Sequence, residues 1–132
     1  MRLHLFYPLF LLLVSGCSLV PTLTTEQVIN QRATNRWNAL ITHNWKDAYQ
    51  YETKGFRSSH TIKQFQSRFG HAVTWQAIDV LKVSVNETKT TATVSLKLSF
   101  ITPMLGGGTQ QSASMLTETW LLDNNEWWHY AK

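Results

Sequence analysis

An acidic residue on an otherwise apolar strand face is the first feature of this sequence that could do chemistry. Glu118 lies between Leu116 and Trp120, and alternate residues of a strand share one face. A carboxyl group buried among apolar side chains resists ionisation, and such groups mark candidate acid–base sites. The alternative is a structural ion pair with an arginine. The sequence offers three partners for such a pair: Arg32, Arg36 and Arg57.

Tyrosines, an arginine and an aspartate could complete such a site. Tyr49 or Tyr51 could direct a hydroxyl group into a pocket, although a packed tyrosine with a bonded hydroxyl is the commoner arrangement. Arg57 could bind an anionic ligand or lie at the surface, and Asp79 could face either way at a strand bend. The predicted pocket residues together are Trp37, Tyr49, Tyr51, Arg57, Asp79, Glu118, Trp120 and His129.

No residue pattern predicts a metal ion, a cofactor or a nucleic acid as a partner. The histidines lack metal-ligand spacing, and the glycines at 106–108 do not lie between a strand and a helix, as in a phosphate-binding loop. The net charge of +4 fits the vicinity of anionic lipid. Three adjacent basic residues occur nowhere in the sequence, so no nucleic-acid face is predicted.

The N-terminal residues have the pattern of a secretion signal. A basic start at Arg2 precedes an apolar run over residues 5–14, which is well short of the roughly 20 apolar residues that span a bilayer. The run ends in Val14-Ser15-Gly16-Cys17, whose last residue is the only cysteine of the chain. This tetrapeptide resembles the lipobox of bacterial lipoproteins. The alternatives are an ordinary secretion signal or a membrane anchor.

The lipobox resemblance implies a signal peptide over residues 1–16, cleavage between Gly16 and Cys17, and lipid on Cys17. Two acyl chains anchor a protein stably, whereas one chain binds only marginally. Ser18, rather than an aspartate, implies the outer membrane, with the protein facing the periplasm. Residues 17–23 would then comprise the acylated cysteine and a tether that reaches at most about 20 Å.

Residues 24–132 have the composition of a single folded domain. In the whole chain 15% of residues are charged and 12% are aromatic, which excludes intrinsic disorder and favours a packed core. One cysteine excludes a disulfide framework within the chain.

Apolar spacing predicts three helices in the first half of this domain. Thr24 and Gln27 fit a capping box, and the apolar residues that follow predict a helix that stops at His43. The first predicted helix has about 18 residues after the cap, and two further helices are predicted over residues 45–52 and 61–69. Glu52 could lie on the apolar side of the second helix. Lys54-Gly55 is expected to separate the second helix from the third.

From residue 73 the apolar period changes to two, which predicts antiparallel strands. Over residues 73–85 the alternation slips twice, which indicates a bulge or a strong bend. Residues 103–112 contain three glycines and are predicted to form a mobile loop. The predicted strands are residues 73–85, 91–100, 113–122 and 127–131.

Helices followed by antiparallel strands predict an α+β fold. Together with Trp37-x-x-Leu40, Asn44-Trp45-x-x-Ala48-Tyr49-x-Tyr51, Phe56-Arg57 and Glu118-Thr119-Trp120, this order resembles the nuclear-transport-factor-two-like superfamily. Ketosteroid isomerases and many bacterial lipoproteins belong to it. The resemblance covers about residues 24–131. It implies a cone-shaped, cystatin-like fold in which three N-terminal helices pack on a strongly bent antiparallel sheet around a pocket.

Aromatic residues in the last predicted strand suggest a surface for a partner. Trp127 and Trp128 are adjacent, so in a strand they point to opposite faces. We expect one of them to pack inward, while the other covers an edge or, with Tyr130, contacts a partner. The candidate partners are an envelope protein, a second copy of the chain and a small apolar ligand.

These features together predict a lipid-anchored, non-catalytic module that binds a ligand or another protein at the outer membrane. One alternative is an isomerase or dehydratase with Glu118 or Asp79 as the base and a tyrosine as the donor, as the superfamily's isomerases imply. The other alternative is a structural component of an envelope assembly.

Overall fold

The computed structural model describes residues 20–132, in which four helices precede four strands. The predicted signal peptide, its cleavage site and the acylated Cys17 lie outside these residues. The elements are α1 (Thr25–Ile41), α2 (Trp45–Tyr49), α3 (Lys54–Ser59), α4 (Ile62–Gln66), β1 (Thr74–Val85), β2 (Thr91–Pro103), β3 (Thr109–Asp123) and β4 (Glu126–His129). The predicted α+β class is confirmed. No helix within residues 20–132 is long and apolar enough to cross a membrane.

The long helix α1 begins at the predicted capping box. The Thr24 side chain accepts the backbone N–H of Gln27, and the Gln27 side chain accepts the backbone N–H of Thr24. The helix ends before His43, whose φ of 57° lies in the left-handed region. Its buried side consists of Ile29, Ala33, Arg36, Trp37 and Leu40. The helical period thus carries one arginine into the core.

The prediction of three helices is wrong, because a fourth helix forms across Lys54-Gly55. The Thr53 side chain accepts a backbone N–H of the first turn of α3, and this cap starts a helix where an interruption was predicted. α2 ends at Tyr49, so Glu52 lies in the segment after it rather than on its stripe. α4 covers only the first part of the helix predicted over residues 61–69, since it ends at Gln66.

The strands form one antiparallel sheet in the order β1-β2-β3-β4, and the sheet is not closed. The pairing of β1 with β2 shifts between Trp75 and Ala77 and again between Val80 and Lys82. These two irregularities agree with the prediction of a bulge or a strong bend in this strand. Each one returns the next apolar side chain of β1 to the side that faces α1.

β2 and β3 form a long hairpin in regular register. The strands extend to Pro103 and from Thr109, so half of the loop predicted over residues 103–112 is paired strand. The connecting loop covers residues 104–108, and its three glycines all have positive φ, which disfavours other residues there. β3 therefore begins earlier than predicted.

A tight turn joins β3 to β4. Asn124 and Asn125 have φ values of 49° and 60°, and two consecutive positive φ values suit the two-residue turn of a twisted hairpin. β4 ends at His129, earlier than the predicted residue 131.

One face of the sheet packs against α1. Ala92, Val94, Leu96 and Leu98 at alternate positions of β2 are buried, as is Trp120 of β3, whereas Phe100, the next alternate residue, is only partly buried. The short helices add an aromatic group, in which Phe65 of α4 contacts the rings of Tyr49 and Phe56. Phe69 after α4 and Trp37 of α1 each contact the ring of Trp75. The core residues outside the helices are Ala92, Val94, Leu96, Leu98, Trp120 and Trp127.

Candidate functional site

A buried arginine joins the helical layer to the sheet. Arg36 projects from α1 into the core, where 3% of its surface is exposed. Its Nε and Nη2 atoms donate to Glu52 Oε1 at 2.9 and 2.8 Å. Its Nη1 atom donates to Glu118 Oε1 at 3.1 Å. One guanidinium thus bonds two carboxylates from distant parts of the chain, which the planar arginine head group does well.

Two indole groups also donate to Glu118. Trp37 Nε1 lies 2.7 Å from Glu118 Oε1, and Trp120 Nε1 lies 3.2 Å from Oε2. With Arg36, three donors surround this carboxylate. The ion pair that the sequence left as an alternative is therefore present, and Arg36 is the partner.

His129 completes the network through the other carboxylate. Its Nδ1 atom lies 2.7 Å from Glu52 Oε2. An ionised Glu52 accepts a hydrogen bond, so Nδ1 carries the proton and Nε2 is left as the second polar atom of the ring. Nε2 lies 3.8 Å from Glu118 Oε1 and has no hydrogen-bond partner among residues 20–132.

The charge state of Glu52 follows from opposing effects. Burial is the largest influence on its pKa and acts to raise it. The hydrogen bond from His129 and the positive charge of Arg36 act in the other direction and together outweigh burial, so the pKa of Glu52 lies below its ordinary value. Glu52 is therefore ionised at neutral pH.

A cavity of about 290 Å³ opens beside this network, and we call it the Glu118 cavity. Its polar lining includes Arg36, Glu118 and His129. Phe69 and Ala131 supply apolar surface. Arg68 and Tyr130 are exposed residues of its lining.

Other predicted pocket residues belong to a different groove, of about 670 Å³. Tyr51 and Arg57 line it together with Arg32 and with Trp128, which was predicted for a partner surface. The guanidinium carbons of Arg32 and Arg57 each lie 5.1 Å from the centroid of the Trp128 ring, within cation–π distance. Tyr49 lines neither space, because its hydroxyl donates to the Arg57 carbonyl oxygen at 2.8 Å.

Asp79 is placed away from both spaces. It is exposed on β1, where its carboxylate lies 3.5 Å from Lys97 Nζ on β2. The aromatic residues of the last strand divide as their adjacency predicts: Trp127 is buried, while Trp128 is half-buried. Tyr130 remains exposed, although its backbone N–H donates to the Thr119 carbonyl oxygen.

The structure brings four predicted residues into one network and adds two that the sequence did not place there. Trp37, Glu118, Trp120 and His129 are the predicted members. The additions are Arg36, considered only as one of three ion-pair partners, and Glu52, considered only as a helix-stripe residue. The sequence feature that could have identified Glu52 is its helical spacing from the apolar residues of α2.

Within residues 20–132, no three side chains of histidine, cysteine, aspartate or glutamate are grouped as a metal ion would need. The sequence matches no protein-family model, and no curated protein is significantly similar to it. The geometry of the network and its cavity therefore has to support any functional assignment.

Proposed function

We propose that this protein is a lipid-anchored module of the bacterial outer membrane that binds a small ligand in the Glu118 cavity without catalysis. The ligand has an apolar body and one polar group that meets His129 Nε2. The cone-shaped relatives suggested by the sequence carry a pocket in the same layer, between helices and sheet.

The observation that carries this proposal is that all four oxygens of the two buried carboxylates accept hydrogen bonds within the protein. Glu118 accepts from three donors, and Glu52 accepts from Arg36 and His129. Every buried side-chain nitrogen and oxygen within residues 20–132 has a hydrogen-bond partner. Each of these carboxylate oxygens therefore already has a donor within the protein, and a satisfied buried network of this kind rigidifies a core.

The cavity offers recognition rather than an acid–base pair. Phe69 and Ala131 provide apolar contact, and His129 Nε2 provides one unpartnered polar atom. Ligand pockets combine apolar walls with a few fixed polar groups in this way. The Glu52 carboxylate fixes the orientation of the imidazole, which lowers the entropic cost of binding.

The anchor is tested by fractionation of cells that express the full chain or its Cys17→Ala variant. We expect the unmodified chain to stay with the outer membrane after a high-salt wash and to incorporate labelled palmitate. The variant should be unlabelled and soluble after the same wash. A variant that remains membrane-bound would contradict the lipid anchor.

Ligand binding is tested by native mass spectrometry of the full chain after extraction in mild detergent. We expect a noncovalent adduct that is lost on denaturation. Ala131→Phe fills the cavity and should abolish the adduct, whereas Ala77→Phe, at an exposed position of β1, should retain it. An adduct that survives equally in both variants would place the ligand elsewhere.

A second candidate function is an enzyme in which His129, rather than Glu118 or Asp79, is the general base. The specific observation in its favour is the pairing of Glu52 with Nδ1, since a carboxylate at one ring nitrogen orients the other toward a substrate. The test is deuterium incorporation beside the carbonyl group in a panel of small ketones. Exchange that His129→Gln abolishes would support the enzyme, and no exchange above buffer would favour the binding module.

A further inference from the structure

Part of β3 presents an unpaired edge to solvent. β4 pairs with Trp120–Asp123 of β3, and among residues 20–132 no strand pairs with the same side of residues 109–117. Leu122 donates its N–H to Thr90 on the β2 side, whereas the Thr119 carbonyl oxygen accepts from Tyr130 on the opposite side. The N–H and C=O groups of successive strand residues point to opposite sides of the strand. The odd-numbered residues of this segment therefore direct their N–H and C=O groups to the free edge.

This edge lacks the features that normally protect a strand from pairing. Residues 109–117 contain no charge and no proline, and their pairing with β2 has no register shift. The opposite edge of the sheet differs, because β1 carries two bulges together with Asp79 and Lys82. Charges, prolines and bulges are the usual means by which proteins prevent strand addition. Within residues 20–132, the 109–117 edge is therefore open to a further strand.

A second copy of the chain suits this edge. The protein carries a net charge of +4, so two copies repel each other across most surfaces, but an uncharged segment can face itself without that cost. In an antiparallel pair centred on Ala113, Gln111 lies opposite Met115 of the second copy. Uncharged residues thus meet along the whole segment.

The same symmetry accounts for two exposed apolar features. Leu105 is fully exposed at the hairpin tip, beside the exposed Met104, and Tyr130 is exposed beside Thr119 at the other end of the edge. Antiparallel pairing about Ala113 directs the tip of each copy toward Tyr130 of the other. Tyr130 belongs to the lining of the Glu118 cavity, so the tip of one copy would lie near the cavity of its partner.

We propose that the protein forms a two-fold dimer in which the 109–117 edges of two copies pair as antiparallel strands and join their sheets into one. The pairing stands on the backbone and charge pattern of β3 and does not depend on which ligand the cavity takes.

Disulfide trapping of the full chain tests the register. Across a hydrogen-bonded antiparallel pair the Cα atoms are about 5.5 Å apart, which lies within the range of roughly 4.4–6.8 Å for a disulfide. Ala113→Cys should therefore give a covalent dimer under mild oxidation. Ala77→Cys, an exposed alanine on the other edge strand, is the matched control and should stay at the background of the unmodified chain.

Sedimentation of the detergent-extracted full chain tests the association itself. We expect a dimer for the unmodified chain and for Ala77→Lys, and dimerisation weakened on the order of tenfold or more for Ala113→Lys, because like charges then face each other. Mixing Ala113→Lys with Ala113→Asp should restore the dimer, which shows that both variants fold. A monomeric unmodified chain, equal trapping of both cysteine variants, or trapping of a different protein would overturn the proposal.

Discussion

At the scale of single residues, Arg36 is the group on which the buried network depends. It bonds both carboxylates, and its side chain is almost completely buried. Arg36→Met keeps much of the side-chain volume but leaves Glu52 and Glu118 without their shared cation. Removal of one partner from a buried ion pair costs about 3–5 kcal/mol. We expect a loss of this size in the free energy of unfolding, measured by urea titration.

Lys63→Met is the matched control for that experiment. Lys63 is exposed on α4, and its side chain takes part in no ion pair within residues 20–132. A surface substitution of this kind changes stability by less than about 0.5 kcal/mol. Equal effects of the two substitutions would show that the Arg36 network adds no stability.

Glu52 should make stability depend on pH in the acid range. Its folded-state pKa lies below its unfolded-state value, which is about 4.3 for an ordinary glutamate. Its contribution to stability is therefore complete above that value and is lost as the pH falls through the folded-state pKa, because the unfolded state then binds more protons. We expect the free energy of unfolding to decline over this interval.

The measurement is a series of urea titrations between neutral pH and the acid limit of folding. Glu52→Gln removes the titrating group, so its curve should be flatter below about pH 4.3 than that of the unmodified chain. Glu87→Gln, at an exposed position in the β1–β2 turn, serves as the control and should keep the original slope. Parallel curves for all three proteins would contradict the assignment.

At the scale of elements, the N-terminus of α1 is fixed by the capping box. The Thr24 side chain bonds the N–H of Gln27, whereas Thr25 is the first residue of the helix. Thr24→Ala should lower the free energy of unfolding by about 1 kcal/mol, because a backbone donor at the helix end loses its partner.

Thr25→Ala provides the comparison for the cap. It changes the same residue type one position later, where alanine is a better helix former than threonine by less than about 0.7 kcal/mol. The melting temperature should fall for Thr24→Ala and stay the same or rise for Thr25→Ala. A similar decrease in both variants would indicate that the capping bond contributes nothing specific.

At the scale of the whole molecule, only one face of the sheet is covered, so its leucines contribute unequally to the free energy of unfolding. Leu96 is fully buried between β2 and the helices, whereas Leu81 on β1 is 53% exposed. Leu96→Ala leaves a cavity in the core and should cost about 2–5 kcal/mol. Leu81→Ala removes a half-exposed side chain and should cost less than about 1 kcal/mol.

Chemical denaturation at one fixed protein concentration compares these two variants, since association would otherwise shift the apparent stability. A large loss for Leu81→Ala would show that the exposed region of β1 is covered in solution. A small loss for Leu96→Ala would mean that the helices do not pack on the sheet as described.

Local features of the fold could be predicted from the sequence because their causes are local. The capping box at Thr24, the alternation in β2 and the two slips in β1 each depend on residues within a few positions of each other. The extent of the β2–β3 hairpin was underestimated, because three glycines dominated the prediction over residues 103–112. Cross-strand pairing extends the strands almost to those glycines.

Short-range patterns also identified part of the site. Glu118 was found because an acid among apolar residues of one strand stands out in the sequence. Its bonding to Arg36 was one of three possibilities, since each candidate arginine is separated from it by a long stretch of chain. Only the packing of α1 on the sheet selects Arg36.

By itself, the sequence determined the α+β class, the start of α1, the bulged first strand and the inward face of β2. The tertiary structure decided which charges meet. Glu52 reaches His129 across 77 positions of the chain, through a bridge between the segment after α2 and the last strand. Such contacts depend on how whole elements pack, and the free energy of packing is shared among many residues, so no local pattern encodes them.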